Sequence, residues 1–361
     1  MREYLLCLLA ATAVTYLVTP VVRVMAYRFG AMAEVRDRDV HNIPTPRWGG
    51  IAMLAGLGVA VTLAGRLPLM RTIFADNRQI VALFTGVAII VVLGIVDDRV
   101  ALDAPTKLVG QILAAGAMAS QGITLVWLPI HGTFILDPTT SVLLTVLVVL
   151  ISVNAVNMVD GLDGLAISIV GIGSGAFFAY SYFLSVQNGY QRAALATLVS
   201  ASLLGMCVGF LPHNWYRARI FMGDTGSMLI GLLMAASSIM LTGQIDPGGL
   251  SGSALLPAFL PILLPLSILA IPLLDLVLAV VRRTRRGRSP FAPDKEHLHH
   301  RLLDLGHGQK RAVIIMSAFT ALVAFGAVST AFVPIWLTIT GIAVAGSTLV
   351  VWVLNPPKEA L

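Results

Sequence analysis

In the stretch "NMVDGLDGLA", Asn157, Asp160 and Asp163 recur at a spacing of three, with Gly161 and Gly164 between them. Carboxamide and carboxylate oxygens are hard ligands that suit magnesium, and glycines let the backbone come close to a ligand. Asp163 precedes an apolar run and would also serve as a helix cap, but a cap needs one such residue, not three. A second acidic group stands in "GIVDDRVALDAPTK", where Asp97 and Asp98 are neighbours and Lys107 follows. Adjacent carboxylates repel and want a proton or a cation, which suits a proton acceptor or a polyphosphate–metal site. An ordinary interfacial loop paired with Arg99 is the alternative. Lys107 would hold a phosphate oxygen as a point charge.

"RIFMGDTGSMLIG" puts Asp224 between Gly223 and Thr225, directly before another apolar run. Capping accounts for one such Asp, yet a helix N-terminus with small residues also receives an anion or its magnesium. Phe221 would stack on a flat base or anchor at a membrane interface. Asn214 in "LPHNWY" is a further polar candidate. The polar loop "RRTRRGRSPFAPDKEHLHHRLLDLGHGQKR" includes Arg283, His297, His299 and His300. Its arginines fit a positive-inside signal. The histidine spacing matches zinc sites poorly, so phosphate recognition or acid–base work is the better reading. "HNIPTPRWGG", with two prolines and two glycines, reads as a fixed loop that packs over a site.

These groups need something to position them, and the composition says what. Of 361 residues, 57% are hydrophobic and 12% charged, with a mean hydropathy of +0.88. Soluble domains carry about a quarter charged residues, so this is an integral membrane protein. With about 20 apolar residues needed per crossing, the chain divides into eleven spans: 4–22, 49–65, 79–96, 108–127, 138–158, 165–186, 193–212, 226–242, 254–281, 312–332 and 334–354. The ninth carries four prolines and is expected to kink or break. The first reads as a retained helix, not a cleaved signal. Cys7 and Cys207 lie in apolar runs and read as core residues.

With the N-terminus outside, nineteen of the 24 basic residues fall on the inner side, as the positive-inside rule requires. Six of the seven histidines and the acids Asp97, Asp98, Asp160, Asp163 and Asp224 join them there. The expected fold is therefore an all-α integral membrane protein, a polytopic bundle of about eleven transmembrane helices, N-terminus outside and C-terminus cytoplasmic. Residues 1–361 form one membrane domain, with cytoplasmic active-site loops at 23–48, 97–107, 157–164, 213–225 and 282–311.

Together, "VDDR", "NMVDGLDGLA", "FMGDTGSM" and "HLHH", in this order, resemble the polyprenyl-phosphate N-acetylhexosamine-1-phosphate transferase family, of glycosyltransferase 4 type. The resemblance runs from about His41 to Arg301. It implies transfer of a sugar-1-phosphate from a UDP-sugar to a polyprenyl phosphate at the cytoplasmic face of the plasma membrane, with release of UMP. It also implies residue roles. Asp224, helped by Asn157, is to bind Mg2+, with Mn2+ as an alternative ion. Asp97 is to be the base, with Asp98 beside it, and Asp160 is to organise the metal–diphosphate region. Lys107 is to contact the diphosphate, Asp163 and Phe221 the uracil, with Asn214 a further contact. His297, His299, His300 and Arg283 are to meet the sugar-phosphate or the lipid phosphate. A homodimer is implied, and no nucleic-acid partner.

Within the family, the interrupted run His297-Leu298-His299-His300, "SPFAPDKEH" and eleven spans resemble the N-acetylglucosamine branch, which initiates cell-envelope glycans from UDP-N-acetylglucosamine and undecaprenyl phosphate. The alternatives are a phospho-N-acetylmuramoyl-pentapeptide transferase or another UDP-N-acetylhexosamine specificity. A transporter is the rival from another class, but it is expected to show repeated halves and charges at mid-membrane. No internal repeat is visible, and Asp275 is the only acid inside a span.

Overall fold

A computed structural model describes residues 1–33, 44–74, 77–128, 134–187, 194–242, 281–282, 284–285, 287, 302–303 and 305–355. The described residues form ten α-helices: α1 Arg2–Phe29, α2 Gly49–Ala64, α3 Arg78–Val100, α4 Ala104–Ser120, α5 Pro138–Val159, α6 Leu165–Gln187, α7 Ala194–Asn214, α8 Gly223–Thr242, α9 Gln309–Ser329 and α10 Ile335–Leu354. Eight are long and apolar enough to cross a membrane; α2 is apolar but shorter. The protein is a multi-pass, all-helical membrane protein. The span expected at 254–281 lies outside the described residues except for Val281.

Two elements depart from their expected bounds. The span at 4–22 is a helix that runs on to Phe29, through the start of the loop expected at 23–48, and ends where Gly30 adopts φ 72°. The span at 108–127 is a 17-residue helix shifted toward the N-terminus, because Asp103 caps it by accepting from the Thr106 amide at 3.3 Å. Residues 121–128 leave the helix and enter a short antiparallel ribbon, β3 Trp127–Leu128 with β4 Phe134–Ile135. A first ribbon, β1 Met32–Ala33 with β2 Thr45–Pro46, follows α1. That ribbon leads into the loop of "IPTPRWGG".

The core is organised around α8. Every residue of its apolar window is buried, and α2, α3, α5 and α7 surround it. Its sequence explains why, since glycine, alanine and serine let neighbouring backbones come close in a membrane bundle. Gly94 of α3 packs directly on Thr225, and Gly50 of α2 on Gly226; a Cβ at either would overlap α8 backbone. On α5, Ser152 donates to the Gly231 carbonyl at 2.9 Å. At the far end of α8, the Trp127 indole donates to the Thr242 carbonyl at 3.0 Å. At the other extreme, α10 is apolar throughout and only 6% of its window is buried, so it borders lipid and packs on α9.

This topology gathers chemistry at one end. The last turn of α3, the start of α4, the end of α5, the end of α7 and the start of α8 all meet there, and these segments carry the acidic and amide residues.

Candidate active site

Asp97 and Asp98 lie in the last turn of α3 and are 3% and 4% exposed. The neighbours do different work. Asp98 accepts from the Asp224 amide at 2.8 Å, the Thr225 amide at 3.1 Å and the Thr225 hydroxyl at 2.6 Å. It thus caps α8 from another helix, satisfying donors that a helix start leaves open. Gly223, at φ 67°, allows this approach, since a Cβ there would overlap the Asp98 carboxylate. Asp97 accepts from the Leu102 amide at 2.8 Å, and Ala101 turns the chain with φ 54°. Its other oxygen lies 2.6 Å from the Lys107 ammonium.

Lys107, on the first turn of α4, also lies 2.6 Å from Asp224. Its nitrogen joins two carboxylates contributed by two different helices. The second oxygen of Asp224 accepts from the Asn157 amide at 2.7 Å, and Asn157 also donates to the Ser227 hydroxyl at 2.9 Å. Asp97, Lys107, Asp224 and Asn157 therefore form one continuous hydrogen-bonded group across α3, α4, α8 and α5. The tight packing of α8 fixes the spacing.

Asp160 follows α5 without continuing the helix, its amide donating to the Asn157 carbonyl at 3.3 Å. It keeps some exposed surface but lies among protein atoms. Burial, then the charges of Asp224 and Asp98, push its carboxyl well above the usual carboxylate range, while Arg47 pulls it down. Asp163 is buried and accepts from the Ala218 amide at 3.0 Å. Asn214, also buried, receives the Gly164 amide at 3.1 Å and donates to the Ile220 carbonyl at 3.1 Å. Its amide ties the α5–α6 turn to the α7–α8 loop, and Trp215 packs against Gly164. Phe221 sits on that loop, its amide donating to the Pro46 carbonyl at 2.8 Å.

The structure thus brings Asp97, Asp98, Lys107, Asn157, Asp160, Asp163, Asn214, Phe221 and Asp224 to one end of the bundle. Arg283, His297, His299 and His300 lie outside the described residues. Sequence reasoning missed Thr225 and Ser227, which bond to Asp98 and Asn157. It also missed Asn154, whose amide donates to Gln111 at 2.7 Å and to the Leu150 carbonyl at 2.8 Å. Asn154 was within reach, since the spacing of 157, 160 and 163 extends one step back to it.

Among the described residues, no three His, Cys, Asp or Glu side chains converge as a ready metal cage. Magnesium is usually held by one or two carboxylates together with waters and substrate phosphates, so a full cage is not required. Asp224 supplies hard oxygens at a helix start. The Lys107 ammonium, 2.6 Å from both Asp97 and Asp224, marks a place where this site already stabilises positive charge. The donor set fits a magnesium ion that reaches the site with a phosphate ligand.

Comparison with known proteins bears on most of the chain. The profile of glycosyl transferase family 4 matches residues 80–242, the part that holds α3 to α8 and most of the acidic group. A decaprenyl-phosphate N-acetylglucosaminephosphotransferase of Mycolicibacterium smegmatis is 43% identical over 341 residues, covering 92% of this chain and 83% of that protein. The chain belongs to glycosyl transferase family 4. It is accordingly an enzyme. The like-named protein of Mycobacterium tuberculosis is 44% identical over 340 residues, 92% of this chain and 83% of that one. A Bacillus subtilis protein, described as a probable undecaprenyl-phosphate N-acetylglucosaminyl 1-phosphate transferase, is 30% identical over 329 residues, 90% of this chain and 84% of that one. The profile covers three of the four motifs from which the resemblance was drawn, "VDDR", "NMVDGLDGLA" and "FMGDTGSM", and ends before "HLHH".

Proposed function

We propose that the protein transfers N-acetylglucosamine-1-phosphate from UDP-N-acetylglucosamine to a polyprenyl phosphate, releasing UMP and starting a cell-envelope glycan. One observation carries this reading: two carboxylates, an ammonium and a carboxamide from four helices share one hydrogen-bonded group at a single end of a membrane bundle. A nucleotide sugar from water and a phosphate on a lipid can meet only at such an edge. The names of the relatives support the sugar and the acceptor.

In the reaction, an oxygen of the lipid phosphate forms a bond to the sugar-bearing phosphorus of the donor. The bond from that phosphorus to the bridging oxygen breaks, and UMP leaves with the electron pair. Asp97 takes the proton from the lipid phosphate. Its carboxylate is oriented for this by the Leu102 amide and by Lys107. Asp98 is engaged in capping α8 and acts as a positioning residue for Asp224. Lys107 moves from its two carboxylates toward diphosphate oxygens as the donor arrives. Asp163 and Phe221 hold the uracil, on a loop that Asn214 ties in place. His297, His299, His300 and Arg283 meet the remaining phosphate or sugar.

Asp224 and Asn157 would hold Mg2+, with Mn2+ as a substitute, and Asp160 would set the charge around it. When bound, the ion neutralises charge on the diphosphate, the main requirement of phosphoryl transfer. The active end faces the cytoplasm of the plasma membrane, with the N-terminus outside and the C-terminus inside, in agreement with the distribution of basic residues. Homodimerisation belongs to the same reading.

The test is UMP release by purified protein with polyprenyl phosphate, Mg2+ and either UDP-N-acetylglucosamine or the UDP-muramoyl-pentapeptide. Release with the simple sugar alone, abolished by EDTA, is expected. Release only with the pentapeptide would overturn the sugar assignment.

A further inference from the structure

The loop of "IPTPRWGG" has no role in the reaction as described, yet every residue from Pro46 to Gly50 is hydrogen-bonded to other parts of the chain, three of them to residues 221 and 222. The Phe221 amide donates to the Pro46 carbonyl at 2.8 Å, and the Gly49 and Gly50 amides donate to the carbonyls of Phe221 and Met222, each at 3.1 Å. The Arg47 amide donates to the Ala31 carbonyl at 2.9 Å. The Trp48 indole reaches the Ile95 carbonyl at 3.4 Å. Trp48 itself adopts φ 79°, costly for a bulky residue and retained only where the surroundings enforce it. A Cβ at Gly49 would overlap the Phe210 ring, and one at Gly50 the α8 backbone. The strap is therefore held in a single register against residues 221–226.

Arg47 is the charged residue of this strap. Its side chain is half-buried, and among the described residues it closes no ion pair; the two ion pairs at the site both belong to Lys107. Its charge is nevertheless felt at Asp160, where it favours the ionised carboxylate. The site thus holds one cation locked between two carboxylates and a second one whose guanidinium fork is unengaged among the described residues. A planar fork binds two phosphate oxygens together, and a rigid backbone lowers the entropy lost on binding.

We infer that Arg47 is a donor-binding residue, whose guanidinium receives the diphosphate of the nucleotide sugar beside Phe221 and Asp224. This rests on the nucleotide-sugar reading of the site. It assigns the strap a substrate contact as well as a packing role, and it divides the cations. Arg47 meets the diphosphate from the strap, while Lys107 reaches it from the group that contains the base.

The experiment measures UDP and uridine binding by competition calorimetry with full-length wild-type protein and the variants Arg47→Ala, Arg47→Gln and Arg47→Lys, in parallel with turnover. Removing the guanidinium is expected to weaken UDP roughly 10- to 100-fold, the effect of losing a charge-assisted hydrogen bond. Uridine, which has no phosphate, should bind as before. Arg47→Lys should fall between, and turnover should suffer in KM more than in kcat. Equal loss for UDP and uridine would make Arg47 a packing residue and overturn the inference, as would unchanged UDP binding in all three variants. If one variant fails to fold, the other two still give the UDP-to-uridine ratio. Wild-type protein that binds UDP through Arg47 without transferring sugar-phosphate would sink the reaction and leave the Arg47 assignment standing. Wild-type protein that binds neither compound would overturn both.

Discussion

At the scale of single residues, the site is notable for how differently neighbouring acids are used. Asp97 and Asp98 are adjacent in the chain, and only Asp97 remains directed at Lys107. Asp98 accepts three hydrogen bonds from the first turn of α8. Removing one partner from such a buried set leaves unsatisfied donors and costs about 1–3 kcal/mol. Asp98→Ala should therefore lower the thermal midpoint in detergent and misplace Asp224. Thr225→Val removes one of the three bonds and should show the same loss in smaller measure. A midpoint unchanged in Asp98→Ala would mean that the cap contributes nothing to holding α8.

At the scale of elements, glycines decide where the side chains end up. Gly94 brings α3 against Thr225, and Gly50 brings α2 against Gly226. Overpacking a dense interior typically costs about 1–3 kcal/mol. Gly94→Ala, which pushes α3 off α8, should destabilise the protein by that order and depress turnover, because it shifts Asp97 relative to Asp224. Full turnover in a stably folded Gly94→Ala protein would show that the α3–α8 distance is unimportant. Much of this arrangement was legible in advance. The start of α5 at Asp137 and Pro138 matches its apolar span, whereas the Asp103 cap of α4 and the Gly30 end of α1 lie outside the bounds that hydropathy alone gave. The partner of Asp98 was not legible, since it lies 126 residues away and no local pattern encodes it. Asn214 reads in sequence as a polar candidate for substrate, whereas its contacts are to backbone groups of two loops. The misplaced bounds of α4 have a local cause. Its apolar run continues past Ser120, where Gln121 and then Gly122, at φ 101°, turn the chain out of the helix.

At the scale of the whole molecule, alternation of helices puts every site element at one end and the β3–β4 ribbon at the other. The outermost helix shows how the periphery is tied down. Arg311 donates to the carbonyls of Trp352 and Asn355 at 3.0 and 2.8 Å, and His307 lies 2.9 Å from that of Val353. These groups hold the C-terminal end of a helix that has little else to pack on. Orientation in the membrane is open to direct test. Cys7 and Cys207 are buried and give little background labelling. Thr106 and Thr139 are exposed at opposite ends of the bundle. A membrane-impermeant maleimide should label Thr139→Cys in intact cells and Thr106→Cys only after permeabilisation. The reverse pattern would place the site outside the cell.

The central claim is that the group joining Asp97, Lys107, Asn157 and Asp224 carries out metal-dependent transfer. The most direct measurement is UMP release from UDP-N-acetylglucosamine and polyprenyl phosphate by wild-type, Asp97→Asn and Asp224→Ala proteins, with UDP binding followed in the same samples. The account predicts Mg2+-dependent release by the wild type, no detectable release by Asp224→Ala while it stays folded, and loss of turnover with UDP binding retained in Asp97→Asn. Near-normal release by a folded Asp224→Ala protein, or an unchanged rate in Asp97→Asn, would contradict it.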